Sequence, residues 1–252
     1  MKLGVKVIAG LLCVLLSNTS FSADLQRSDV VAMLKKADKE NLANLRRKDL
    51  TKLDLSGLDF RHADLWGADL RGANLSKSNF SGLVLDLTVM VAVNLEGADL
   101  SNVSIFGVSM MRSNLKNANL SGSRVIAILD NADLSHANLS NIRWGADMKN
   151  QSMGLMRASL KKANLSGANL SNADLGRAML KHADLTNANL QKASLYSASL
   201  EGADFTGADL TGADLTYANV NNAKFNKAKL KGAIFNKVKG IEAARGLNIK
   251  GN

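Results

Sequence analysis

Proline is absent from the 252 residues, and aromatic side chains make up only 4% of them, although 46% of the chain is hydrophobic. A core with so few rings must be assembled from Leu and Ala in small uniform units, which points away from an ordinary globular interior. Cysteine occurs once, at Cys13, so the chain can hold neither an internal disulfide nor a multi-thiolate metal site. The three histidines, His62, His136 and His182, fall on outer positions far apart along the chain. No Gly-rich phosphate loop, Ser–His–Asp set or Cys nucleophile is present. These absences lead to the expectation of a non-enzymatic protein with no cofactor, no metal and no small-molecule substrate.

What the chain does have is a period of five. Leu or Phe recurs at Leu45, Leu50, Leu55, Phe60, Leu65, Leu70, Leu75 and Phe80. A small residue sits two places earlier, as in Ala63, Ala68 and Ala73, and from Ala158 to Ala233 that residue is Ala in every unit. Five matches neither the 3.6-residue helix nor the two-residue strand, so neither element keeps Leu and Ala on one side. It fits a closed polygonal coil in which each unit makes one side and then turns a corner. Leu and the preceding Ala then point inward, and Gly, Asn, Asp and Ser occupy the outer, turn-forming positions. Four units close a coil, so residues twenty apart should stack. The column Asp54, Asn74, Asn94 and Asn114 would form a ladder without like-charge repulsion.

The segments ANLSGANLSNADL at 163–175 and EGADFTGADLTGADL at 201–215 resemble the pentapeptide-repeat proteins, whose pattern is A(D/N)LXX. The resemblance implies an all-β solenoid, a right-handed quadrilateral β-helix of roughly nine to ten coils and about 45 Å, at the strand spacing of about 4.7–4.9 Å. The family's best-known role is DNA mimicry on a topoisomerase. A formal net charge of +10 departs from the acidic rod that mimicry needs.

The rest of the chain divides around this repeat. Residues 1–22 read as a signal peptide: Lys2 and Lys6, an apolar run from Val7 to Leu16, and small residues before Ala23. Cleavage there would remove Cys13 and place the protein in the periplasm or outside the cell. Residues 23–42 are expected to hold a capping helix, N-capped by Ser28, with Val30, Val31, Leu34 and Leu42 facing one way. The repeat occupies 43–125 and 157–239, and 240–252 should close the far end with a short helix ended by Gly246. Charge is uneven: net +3 over 23–48, −2 over 49–220 and +7 over 221–252.

The repeat loses phase over 126–156, where Leu129, Leu134, Leu139 and Trp144 come one residue early. This region reads as a bulge or loop joining two stacks, with Trp144 too large for a regular core position. Nearby, Val84, Leu87, Val89, Val91, Phe106 and Met111 stand where other units have polar outer residues, an apolar patch on two adjacent sides. Together with Trp144 these are the candidate contacts for an unidentified protein partner, a second copy of the chain included. The alternative is an anionic surface (membrane, lipopolysaccharide or nucleic acid) met by Lys224, Lys227, Lys229, Lys231, Lys237 and Lys239.

Overall fold

A hydrogen-bond ledger for one unit shows why five residues suffice. In the computed structural model, which describes residues 25–146 and 157–247, the unit from Ala68 to Gly72 leaves no backbone N–H unpaired. Ala68 N–H closes a turn on Leu65 O, Asp69 N–H bonds Lys48 O in the preceding coil, and Leu70 N–H bonds Val89 O in the next. Gly72 N–H reaches Val91 O, and Arg71 N–H is taken by the side-chain Oδ1 of Asp69 at 3.1 Å. The Asp or Asn before each Leu is thus a backbone acceptor, repeated at Thr51, Ser76, Ser101, Thr186 and Thr216. Buried backbone groups need partners, and this side chain supplies the one that the ladder lacks.

Four columns of parallel bridges run along the chain. The third side links Asp54, Asn74, Asn94, Asn114, Asp133, Asn164, Asp184, Asp204, Lys224 and Arg245 in unbroken succession. The fourth does the same from Asp59 to Lys229. On the third side each Asn amide donates to the oxygen below it, Asn74 to Asp54, Asn94 to Asn74 and Asn114 to Asn94, all at 3.0 Å. The first side runs from Asn44 through Val84 to Ile234, and the second from Asp49 through Val89 to Lys239. Both carry short true strands: β1 (Ala43–Asn44) on β2 (Ala63–Asp64), and β3 (Ser104–Ser109) on β4 (Arg124–Ile128).

Inside, Leu and Ala stack by row into one cluster from Val30 to Leu230. Phe replaces Leu where rings can lie flat on each other at the coil spacing: Phe60 on Phe80 at 4.7 Å and 4°, Phe205 on Phe225 at 5.0 Å and 5°. Each buried Leu contributes about 1.5–3 kcal/mol relative to exposure. Corners need a left-handed residue, and glycine serves two needs at Gly167 (φ 65°) and Gly202 (φ 65°). A Cβ there would lie 2.6 Å and 2.3 Å from the rings of His136 and His182, which lie across these corners from the coil before.

The ends differ from the sequence-based expectation. The helix α1 covers only Arg27–Lys36 of residues 23–42, and its N-cap is Gln26, not Ser28, with Gln26 N–H bonded to Asp29 Oδ2 at 2.8 Å. Val30 is fully buried, Leu25, Met33 and Leu34 pack on the core, and Leu42 is exposed. Arg27 fastens the helix to the first coil through Asp54 O and Ser56 O at 2.7 and 2.9 Å. At the other end only Ile241–Ala243 forms a 3₁₀ turn, and Arg245 continues the third-side ladder. The expected signal peptide, residues 1–22, lies outside the described residues.

The 126–156 break is also narrower than its phase suggested. Leu129, Leu134, Leu139 and Trp144 are all fully buried, and Asp133 and Asn138 keep their places in the ladders. Two separate events are present. Ladder partners on either side of Arg124–Ile128 are 19 residues apart instead of 20, as between Asn119 and Asn138. The next coil is reached after 31, as between Asp133 and Asn164, an excess of eleven that falls between Ala146 and Arg157. The ladders on either side join as one stack, with one coil a residue short, and residues 147–156, Met148 and Met153 included, lie outside the described residues.

Candidate partner-binding edge

The corner between the first and second sides differs from the others. On it lie Trp66, Asp86 and Leu87, Phe106 and Ile126, then Gly145 and Ala146, Gly176 and Arg177, and finally Tyr196 and Tyr217. Among the described residues between Asp49 and Lys239, the third and fourth corners carry no Phe, Tyr, Trp, Leu, Ile, Val or Met, and Leu42 alone stands exposed at the head of the fourth-corner column. The eleven additional residues of the register fall between Ala146, on this same corner, and Arg157.

Of the residues singled out from sequence, Val84 is 62% exposed and Leu87 53% exposed, and Val89 is exposed on the second side. Phe106 is half-buried at the first corner, while Val91 and Met111 are half-buried one above the other on the second corner. The patch therefore wraps the second side from corner to corner, as the twenty-residue register requires. Leu87 adopts φ 63°, a left-handed conformation that costs a branched side chain on the order of 1–2 kcal/mol.

Trp144 is not part of this surface. It is fully buried, and its Nε1–H donates to Ser123 Oγ at 3.1 Å. The coil below makes room because Val125 stands where a regular unit has Leu, and Ser123, in the Ala position, supplies the indole's acceptor. Sequence reasoning missed Ile128, which is 44% exposed, and the cleft beside it. That cleft, about 330 Å³, is walled mainly by apolar atoms of Gly107, Val108, Ile126, Ala127, Ile128 and Met179. It exists because the deleted residue removes a corner turn: β4 runs straight past the position where other coils fold inward, burying Ile126 and Ala127.

Two aspartates repair the hydrogen bonding that these changes disturb. Ser104 stands where Asp or Asn should accept Phe106 N–H, and Asp86 of the preceding coil accepts it at 2.9 Å. Ser159 stands in the same position beyond residues 147–156, and there Asp130 Oδ1 accepts Lys161 N–H at 3.0 Å and the Ser159 hydroxyl. At the start of the corner Arg46 and Arg47 lie 4.7 and 4.8 Å from the Trp66 ring centre, occupying that aromatic face.

The six lysines are not brought together on one face. Lys224 is on the third side, Lys229 on the fourth, Lys239 on the second, and Lys227, Lys231 and Lys237 on three different corners. They ring the end of the rod. Lys224 pairs with Asp204 at 2.9 Å, Lys229 with Asp209 at 3.5 Å, and Lys237 meets the Tyr217 hydroxyl at 3.3 Å. Among the described residues no three His, Cys, Asp or Glu side chains are placed to hold a metal ion.

Comparison with known proteins agrees with this geometry. The family model described as "Pentapeptide repeats" matches residues 41–67, 68–105, 94–125, 158–195 and 193–232. Among solved structures, HetL, a pentapeptide repeat protein involved in heterocyst differentiation regulation from the cyanobacterium Nostoc sp. strain PCC 7120, is 30% identical. That match covers 87% of this chain and 96% of HetL, with a TM-score of 0.45. A trypsin-treated form of QnrB1, a plasmid-mediated fluoroquinolone resistance protein, is 18% identical over 77% of this chain and 94% of its own, with a TM-score of 0.54. A comparison with curated proteins gave no match.

Proposed function

The chain belongs to the pentapeptide-repeat family, and from that premise we propose that it is a non-enzymatic interaction module of the bacterial cell envelope. In this reading the rod is a right-handed coil of roughly nine to ten turns, covered by α1 at one end and by residues 240–247 at the other. The export-like N-terminal segment would carry it to the periplasm. Its partner is a protein that seats an apolar side chain in the cleft at Ile128 and covers Val84, Leu87 and Val89.

The observation that carries the reading is the asymmetry of the rod. Apolar groups and a lost turn gather on one corner, while the opposite corners stay polar along the ladders. Exposed apolar surface of this kind marks interfaces. Leu87 is also an exposed leucine at a left-handed corner position that other coils fill mostly with Gly, Asn, Lys or Arg. DNA mimicry finds no support in a chain of net charge +10 whose third-side column mixes Asn with Asp. The lysines surround the rod's end instead of forming a docking face, and they stay out of this reading.

Photo-cross-linking in the periplasm tests it. A cross-linker at position 128 should trap one protein, and the same group at position 186, on the third corner, should not. Leu87→Asp should abolish the adduct without lowering the urea midpoint. Adducts of equal yield from both positions would sink the proposal.

A further inference from the structure

Two coils from the C-terminal end, the first corner changes character from apolar to aromatic and polar. We propose that the cleft there binds an acidic sugar unit of a polysaccharide, a uronate. The cleft measures about 490 Å³ and is open to solvent. Tyr196 and Tyr217 form its corner, exposed, with ring centres 5.5 Å apart at 77°. Ser199, Asn219 and Lys239 rise beside them on consecutive rungs of the second side. Lys237 sits over the Tyr217 ring at 5.4 Å, and no carboxylate lines the cleft.

Each part matches one part of a uronate. A pyranose ring has an apolar C–H face that packs on an exposed tyrosine ring, as amphipathic aromatic side chains favour. Its hydroxyls both donate and accept, as the Ser199 hydroxyl does, and the side-chain N–H groups of Asn219 can donate while its Oδ1 holds Asn221 N–H at 3.1 Å. Its carboxylate needs a cation with no acid partner, and Lys239 stands one rung beyond Asn219 with no ion pair among the described residues. The rungs are about 4.8 Å apart, so the three groups follow one another along the rod at strand spacing. The open, shallow form suits a chain passing through better than a monosaccharide enclosed.

Nucleic acid is the less suited polymer. Single strands stack successive bases on separate aromatic platforms, whereas these two rings touch at nearly a right angle and offer one platform between them. This site is separate from the apolar cleft at Ile128 and does not depend on a protein partner there.

Isothermal titration of the full chain with oligogalacturonate tests the assignment. Binding is expected, with affinity reduced about fivefold or more in Tyr196→Ala and in Lys239→Gln. Tyr196→Phe should retain it, and so should Lys227→Gln, Lys231→Gln and Leu87→Asp, all with unchanged urea midpoints. Retention in Leu87→Asp separates this site from the partner edge. Absence of binding overturns the proposal. So does equal weakening in all three lysine variants, which would mean diffuse charge, and so does equal or tighter binding of oligo-dT or polyphosphate.

Discussion

Between Ala158 and Phe225 the rod repeats itself with little variation, whereas between Leu83 and Trp144 almost every outward rule is broken at least once. Ala fills every small inward position in the later stretch. In the earlier one Thr88, Val93, Val103, Val108, Ser113, Ser123 and Ile142 take that place, all buried. The ladders on the third and fourth sides do not register the difference. They pass through both stretches without a gap, while among the described residues no bridge joins Asp64 to Val84, Val89 to Ser109 or Arg124 to Arg143. Two sides therefore hold the stack, and the other two are free to vary. Irregularity in this rod has been confined to the sides that can carry it.

Substitutions can sharpen or break that contrast. Trp144→Ala should have the largest effect, about 3–5 kcal/mol, because it empties a fully buried indole site in the irregular stretch. A urea titration showing less than the loss from Leu180→Ala would mean that Trp144 is poorly packed. Asp130→Ala should cost about 1–3 kcal/mol, since it leaves Lys161 N–H and the Ser159 hydroxyl without their acceptor. Asp184→Ala, which strips a single acceptor from Thr186 N–H in the regular stretch, should cost less, about 0.5–1.5 kcal/mol. Equal costs would deny Asp130 its special role.

Leu87→Asn should go the other way. Asn tolerates the left-handed conformation, so the variant should gain about 1 kcal/mol in urea midpoint terms while losing the cross-link at position 128. A stabilised variant that keeps its partner would detach the strain from function. The smallest effect is a pH dependence at the charged end. Burial alone would raise the pKa of Asp209, but hydrogen bonds from Thr211 and Gln191 and the charge of Lys229 outweigh it and bring it to about 2. A carboxylate held below its unfolded value of 3.8 adds stability that is complete above about pH 4 and lost as pH falls through 2. Asp209→Asn should flatten the urea midpoint between those limits.

The five-residue period, the inward Leu and Ala and the Asn ladders were legible because each is a local rule repeated many times. The reason for the Asp and Asn residues was less so: they hold a backbone N–H that no ladder reaches, a need visible only once the bonds are counted. Trp144 was misjudged because room for it comes from Val125, and its hydrogen-bond acceptor from Ser123, about twenty residues earlier and not in its own unit. The break was misread for an arithmetical reason. A deficit of one and an excess of eleven together make ten, two whole repeats, so Leu155 and Leu160 return to phase as though nothing had been inserted. The cleft at Ile128 could have been suspected from the missing residue itself, since a coil one residue short must lose a turn somewhere.

The register on either side of residues 147–156 has a practical meaning for how such a protein can be altered. The bridges Ile128–Ser159 and Arg143–Asp174 close the stack across a spacing of 31, and Asp130 fastens Ser159 and Lys161 to the coil below. The stack is therefore a rail, continuous whatever number of residues joins Ala146 to Arg157. A tag, an epitope or a foreign loop should be grafted between those two residues, with the rod left standing.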